Sequence, residues 1–230
     1  MDLFFLRGIV SGYVGSRKRS RKEEVQGMAG NKKAQELDQK LRRTERQLTV
    51  LQKISRLMTR RMSLPEVLRA IVDLVVEATK ADACLIYLID EDALVLCASS
   101  LPHPGQIGRI RLKMGEGLTG WVARERRMVA ISREAYKDSR FRLFTDLPED
   151  TFEAFLSVPV IARDEVVGVI NVQHRQPHTH SGSEMEMAVT VGEQVGCVIV
   201  LARLGEHAED WKSSHVEFLL SQPPTALGKK

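Results

Sequence analysis

Three histidines, His174, His178 and His180, fall within one short stretch of the sequence. Imidazole nitrogens are common ligands of transition metals, so residue type alone raises the question of a metal site. Structural zinc sites use four nitrogen or sulfur ligands with defined spacing, and no cysteine lies close to these histidines. Pro177 and the approach to a helix favour a flexible, solvated connection. We therefore predict no metal site from the sequence.

The cysteines Cys84, Cys97 and Cys197 are far apart, form no CxxC pair and are odd in number. Thiol catalysis needs a reactive thiolate with a resolving cysteine nearby. We expect all three to be buried small apolar residues in a reducing compartment. With no other nucleophile arrangement in the chain, we predict no catalytic residue.

A glycine-rich stretch from Gly115 to Gly120 precedes residues of helical composition, Leu118 to Arg127. Glycines allow positive φ and close backbone approach. Such a turn can bind an anion on free backbone N–H groups, but no Lys-Ser or Lys-Thr follows and the dinucleotide spacing is absent. The pattern favours a tight turn that packs a helix onto a sheet.

The elements that would position these residues alternate between helical and strand periods. A capped helix begins at Ser63, with Glu66 as its returning partner, and a final helix opens at a second box, Ser183 to Glu186, and runs to about Leu204. Between them lie two predicted hairpins, 83–89 with 93–98 and 155–162 with 165–173, and a short strand at 128–131. This order predicts an α+β fold with an antiparallel central sheet and helices on both sides.

The segment 34–62 carries a heptad pattern of mostly apolar residues, and we interpret it as a coiled-coil or signalling helix that forms a homodimer. The alternative is a lone helix packed on its own domain. The seam consists of Leu37, Leu41, Thr44, Leu48, Leu51, Ser55 and Met58.

Charge is divided unevenly along the 230 residues. Residues 1–62 contain 16 Lys or Arg and 6 Asp or Glu, whereas the remainder contains 18 and 24. The densest basic run, Arg17 to Lys22, could contact an anionic membrane or nucleic acid weakly. We expect residues 1–33 to be a disordered basic arm. No apolar run reaches the length of a membrane span and the apolar N-terminus is too short for a signal peptide, so we expect a cytoplasmic protein.

Several of these segments together resemble the GAF family of small-ligand sensor domains. The resemblance is carried by Gly115 to Ala123, by Asp138-Ser139-Arg140-Phe141, by Phe152 to Val160 and by Val166 to Val172. Among GAF domains the pattern is most similar to the N-terminal sensor domain of the nitrogen-branch phosphoenolpyruvate-protein phosphotransferase family. The resemblance implies a GAF domain over 63–205, followed by a helical extension and tail over 206–230. The cyclic-nucleotide signature and a bilin-attachment cysteine are both missing, which argues against those ligands.

The resemblance implies a non-enzymatic module that binds a small molecule and relays to a partner protein. The ligand is unidentified, and we expect it between the sheet and the irregular segment Ser132 to Thr151, in a concave and mostly apolar site. Arg140 is the expected anion partner, although it could instead hold its own loop in place. The expected ligand-binding residues are Trp121, Ile131, Arg140, Phe141 and Ser157.

Two other functions are weighed against this one. A GAF domain without a ligand could serve only as a dimerising scaffold. Free methionine-R-sulfoxide reductases are also GAF proteins, but their reactive cysteine is expected in the glycine-rich turn, where this chain has Leu118 and Thr119.

Overall fold

The computed structural model describes residues 32–102, 105–141 and 152–204. The chain separates into two compact units, Met1–Arg46 and Gln47–Lys230. The described part of the first unit is helical. The predicted basic arm lies outside the described residues except for its last two positions, and the predicted C-terminal extension lies outside them entirely.

Four helices, one turn of 3₁₀ helix and six strands are formed by the described residues. In chain order they are α1 (32–58), α2 (Leu64–Thr79), β1 (Ala83–Asp90), β2 (Ala93–Ser99), β3 (Arg111–Lys113), α3 (Gly117–Glu125), β4 (Val129–Ile131), the 3₁₀ turn (Ala135–Lys137), β5 (Ala154–Ala162), β6 (Glu165–His174) and α4 (Gly182–Leu204). The strands form one antiparallel sheet in the order β3-β2-β1-β6-β5-β4. The predicted α+β class is confirmed.

Both faces of the sheet are covered by helices. Successive residues of each strand point to opposite faces, so each central strand contributes side chains to two separate cores. In β1 the side chains of Cys84, Ile86 and Leu88 enter a core with α2 and α4. The alternate residues Leu85 and Tyr87 enter a second core with α3. The central strands are consequently apolar on both sides.

The predicted turns have the backbone angles that their positions require. Arg163 and Asp164, which join β5 to β6, have φ of 49° and 62°, as a two-residue hairpin turn of type I′ needs. Gly115 and Gly117 have φ of 85° and 67°. Gly120 serves close approach instead, since a Cβ there would lie 2.6 Å from the carbonyl oxygen of Lys113. The glycine-rich stretch is therefore the predicted strand-to-helix turn.

One of the two predicted capping boxes is confirmed and the other is displaced. The backbone N–H and hydroxyl of Ser63 donate to Glu66 at 2.7 and 2.8 Å. At α4 the predicted box of Ser183 with Glu186 is wrong, because the backbone N–H and hydroxyl of Ser181 donate to Glu184, both at 2.7 Å. The same Ser-x-x-Glu spacing occurs two residues earlier, and α4 therefore begins at Gly182.

The helix α1 uses a face that the heptad pattern did not indicate. Val50 and Ile54 are buried against the core of the second unit, and neither belongs to the predicted seam. Lys53 pairs with Glu77 of α2 at 3.2 Å. Three of the four seam leucines, by contrast, are exposed, at 69% for Leu37, 56% for Leu41 and 54% for Leu48, whereas Leu51 is half-buried. The C-terminal end of α1 therefore packs on its own domain, whereas Leu37, Leu41 and Leu48 are exposed.

The helix α4 packs closely on β5 through small residues. A Cβ on Gly196 would lie 2.8 Å from the carbonyl oxygen of Ile161, and one on Gly192 would lie 3.5 Å from that of Pro159. By length and composition α4 is also the one helix in the described residues that could cross a bilayer, whereas no membrane span was expected from the sequence. One face of α4, with Val191, Val195 and Ile199, is buried on the sheet, as in the core helix of a globular domain.

The two α4 glycines should respond oppositely to alanine. Replacing a helical glycine by alanine gains about 0.5–1 kcal/mol of helix propensity. Gly192→Ala should therefore raise the free energy of unfolding by up to that amount. Gly196→Ala should lower it despite the same gain, because the methyl group meets the Ile161 carbonyl. Urea unfolding followed by circular dichroism would measure both, and equal shifts in the two variants would contradict the close approach.

Candidate functional site

A buried polar network joins α3 to the centre of the sheet. The hydroxyl of Ser157 on β5 donates to Oδ1 of Asn171 on β6 at 2.7 Å, and Nδ2 of Asn171 donates to Oγ1 of Thr119 on α3 at 2.8 Å. All three residues are buried. Buried polar groups without partners are costly, so this network fixes the position of α3 on the sheet. Ser157, an expected ligand-binding residue, is fully enclosed and its hydroxyl is used by Asn171.

Arg140 lies between the ring of Trp121 and the carboxylate of Asp138. Its guanidinium carbon is 4.6 Å from the ring centroid of Trp121, within the range of a cation–π interaction. Nε and Nη2 donate to the two oxygens of Asp138 at 2.9 and 2.8 Å. Arg140 therefore does hold its own loop, and two of its five N–H groups are used for this purpose.

The remaining expected residues form the apolar edge beside this arginine. Phe141 meets Phe155 edge-to-face with ring centroids 6.5 Å apart. Ile131 pairs with Phe155 across β4 and β5, and Ile131, Phe141 and Trp121 are all half-buried against the α3 core. The structure thus brings Trp121, Arg140, Phe141 and Ile131 to one side of the sheet, whereas Ser157 lies beneath them. Of the segment expected to cover the ligand, residues 142–151 lie outside the described residues.

Sequence reasoning missed Asp138 as the partner of Arg140, and missed Thr119 and Asn171. A signal for Asn171 was present, because an amide in the middle of the apolar run Val166 to Val172 requires a buried partner.

A cleft of about 100 Å³ lies elsewhere, lined by Gln47, Val50, Leu51, Glu186, Met187, Thr190 and Val191. It is smaller than the 300–1,000 Å³ or so that is usual for ligand sites.

The cysteines offer no reactive pair among the described residues. Cys84 and Cys97 are buried, and burial raises the pKa of Cys84 strongly and that of Cys97 to about 12. Both thiols therefore stay protonated at neutral pH, which is unfavourable for nucleophilic attack. Cys197 is exposed, so the expectation that all three are buried is wrong for this residue. It lies on the face of α4 directed away from the sheet.

The rings of the three histidines lie close together, whereas the sequence predicted that they belong to a flexible, solvated connection. The rings of His174 and His178 stack with centroids 4.0 Å apart, and His180 is 5.4 and 5.0 Å from them. His174 and His180 are buried. The chain bends at Arg175 and Gln176, directly after His174.

Burial controls the charge of this histidine cluster. Loss of solvation, followed by repulsion from His178, lowers the pKa of His174, and the same causes together with His174 lower that of His180 to about 4. Both imidazoles are therefore neutral near pH 7. Burial alone would raise the pKa of Glu184 beside them, but hydrogen bonds from Ser181 and His178 lower it.

Comparison with known proteins gives the family to which this fold belongs. A family model described as GAF domain matches residues 61–200. The chain belongs to the GAF domain family. The structure superimposes on the GAF domain of an Acinetobacter phosphoenolpyruvate-protein phosphotransferase with a TM-score of 0.62 and 31% identity, covering 69% of this chain and 93% of that one. The corresponding domain from Coxiella burnetii gives 0.66 and 27%, covering 70% and 96%.

A curated relative from Escherichia coli strain K12, a phosphoenolpyruvate-dependent phosphotransferase system protein, is 27% identical over 186 residues, which is 79% of this chain and 24% of that protein. The chain therefore spans about a quarter of that relative's length. The resemblance seen in the sequence is confirmed, and the assignment supports a regulatory, sensor-type module in signal transduction.

The Arg140–Asp138 pair should be visible in the titration of one carboxyl group. Hydrogen bonding from Arg140 lowers the pKa of Asp138 in the folded protein. The stabilisation that results is present above the ordinary aspartate pKa of about 3.9 and is lost as the pH falls through the lowered folded value. Arg140→Ala should return the pKa of Asp138 towards its ordinary range, as measured by carboxyl ¹³C NMR.

Lys137→Ala provides the matched control, because Lys137 pairs with Glu134 and not with Asp138. It should leave the Asp138 titration in place. An ordinary pKa for Asp138 in the wild-type protein would contradict the pairing.

Proposed function

We propose that this chain is a non-catalytic GAF sensor module that binds a small molecule beside Arg140 and relays to a partner protein in the cytoplasm. The observation that carries the proposal is the cluster of Arg140, Trp121, Phe141 and Ile131, which are all half-buried at one side of the sheet. Two guanidinium N–H groups face Asp138, so donors remain for a carboxylate or another small anion. The apolar neighbours would exclude water from such a contact.

The absence of a reactive cysteine pair among the described residues favours a sensor over a reductase. Cys84 and Cys97 lie on neighbouring strands, but both thiols are enclosed on the α2 and α4 side of the sheet. The expected ligand cluster lies on the α3 side. A ligand bound beside Arg140 would therefore be separated from both thiols by the sheet.

The ligand site can be tested by native mass spectrometry of freshly purified full-length protein and by a thermal-shift screen of small carboxylates. A ligand at 100 times its dissociation constant adds about 2.7 kcal/mol to stability, which is a shift of roughly 5–11 °C in a domain of this size. Arg140→Ala should abolish the shift and Lys137→Ala should keep it. If no molecule is retained and no carboxylate shifts the wild-type protein, the ligand-free scaffold is the better account.

The proposal includes a homodimer formed through α1. Leu37, Leu41 and Leu48 are exposed leucines repeating at heptad-like spacing on a helix. Apolar surface of this kind is stabilised when a second helix covers it. The core of the second unit uses Val50 and Ile54 instead, so the exposed leucines are available to a second chain.

Disrupting the seam should separate the dimer without unfolding the domain. Leu41→Glu with Leu48→Glu should convert a dimer to a monomer, measured by light scattering, with the thermal unfolding of the GAF domain retained. Arg42→Glu with Arg46→Glu introduces two glutamates on the opposite side of the same helix and should leave the dimer intact. A monomeric wild-type protein would refute this part of the proposal.

The partner is proposed to be a phosphotransferase-type protein. Two of the similar structures are GAF domains of phosphoenolpyruvate-protein phosphotransferases, and the curated relative is a phosphotransferase system protein. The basic run Arg17 to Lys22 is proposed to make at most weak contact with an anionic membrane or nucleic acid, of about 1 kcal/mol per charge and sensitive to salt.

A further inference from the structure

The histidine cluster presents nitrogen atoms that no protein group satisfies. Nε2 of His174 and Nε2 of His180 are buried and lack a hydrogen-bond partner among the described residues. The side chains themselves are only 6% and 7% exposed. Buried polar atoms of this kind are rare in folded proteins and call for an explanation, such as a bound ion. Stacking of the rings alone does not provide one, because it leaves both Nε2 atoms without a hydrogen-bond partner.

The spacing of the three side chains is close to that of a metal site. One ring nitrogen from each of His174, His178 and His180 lies within 4.8 Å of the others. Nitrogens bound to one tetrahedral zinc ion at 2.0–2.1 Å are about 3.3 Å apart. Side-chain rotations that bring the ring nitrogens about 1.5 Å closer together would give that spacing. His178 is the side chain with room to move, since it is partly exposed.

A carboxylate already orients one of the imidazoles. Nε2 of His178 lies 2.9 Å from Oε1 of Glu184, while Oε2 of Glu184 is fixed by the backbone N–H and hydroxyl of Ser181. With the carboxylate accepting from Nε2–H, the neutral tautomer of His178 has its lone pair on Nδ1. Carboxylate–histidine–metal arrangements of this kind are the usual outer shell of protein metal sites.

Backbone contacts tie the three histidines to different parts of the domain. His174 ends β6, and its carbonyl accepts from the N–H of Glu153 at 2.9 Å. The N–H of His178 donates to the carbonyl of Ser132, also at 2.9 Å. His180 directly precedes Ser181, the cap of α4. The cluster is therefore a junction between the sheet, the segment after β4 and the start of α4.

We propose that His174, His178 and His180 form a binding site for a divalent transition metal of the zinc type. Three imidazole nitrogens fill three positions of a tetrahedral ion, and a water molecule fills the fourth. The carboxylates of Glu184 and of Asp82, which accepts from the N–H of Arg175 at 2.7 Å, supply negative charge near the ion. The partial exposure of His178 provides the entry path.

Such an ion would join the end of β6 to the start of α4. The same junction contacts Ser132, at the start of the irregular segment expected to cover the ligand, and Glu153, which follows that segment. Metal binding would therefore stabilise the ends of that segment and the first turn of α4. The metal proposal stands on the histidine geometry and does not depend on a ligand at Arg140.

The test uses the full-length chain, stripped with a chelator and titrated with Zn²⁺ against a chromophoric chelator. One equivalent should bind, and Zn²⁺ should raise the melting temperature. Co²⁺ should give the visible absorption of a tetrahedral site without the near-ultraviolet band of thiolate ligation. His178→Ala should weaken Zn²⁺ binding at least about tenfold, in line with the loss seen even for outer-shell changes. His178→Gln is the second variant if the alanine variant fails to fold.

The matched controls are His207→Ala, His215→Ala and Cys197→Ser, which alter other potential ligands of the chain and should leave Zn²⁺ affinity and the Co²⁺ spectrum unchanged. No binding by the wild-type chain, or a Zn²⁺ affinity that His178→Ala leaves unchanged, would overturn the proposal. So would a thiolate band in the Co²⁺ spectrum that disappears in Cys197→Ser.

Discussion

Covering the central strands on both faces is the constraint on which the other features depend. The strands β1, β6 and β5 lie in the middle of the sheet, with α2 and α4 on one side and α3 on the other. Each covering helix has to come close enough to exclude water from the strands. Gly196 permits this on the α4 side, where a Cβ would lie 2.8 Å from a strand carbonyl, and Gly120 brings α3 close to the end of β3. Small residues on the helices thus determine how closely the helices approach the strands.

Polar groups within this enclosed structure are organised by the same constraint. On the α3 side Ser157, Asn171 and Thr119 satisfy one another, so that a hydroxyl and an amide can lie inside an apolar sheet. At the end of β6 His174 and His180 are also buried, but no described residue forms a hydrogen bond with Nε2 of either. The network of Ser157, Asn171 and Thr119 is therefore satisfied internally, whereas the histidine cluster is not satisfied within the described part of the chain.

The helices α1 and α4 each bury one face in the core and expose apolar residues on another. The end of α1 contributes Val50 and Ile54 to the core, whereas Leu41 and Leu48 on the same helix face solvent. On α4 the exposed positions include Val189, Cys197 and Leu201. Both helices thus pack on the domain with one face and expose apolar residues on another.

By itself the sequence determined the local elements and their order. Alternation of apolar residues, the turn residues Arg163 and Asp164, the glycine-rich turn and the cap at Ser63 predicted the helices, the hairpins and the α+β class, since each depends on neighbours along the chain. Only the tertiary structure decided which Ser-x-x-Glu box caps α4, which face of α1 is buried and where Arg140 binds. It also brought His174, His178 and His180 together, because these contacts join residues whose distance depends on the path of the backbone and not on sequence spacing.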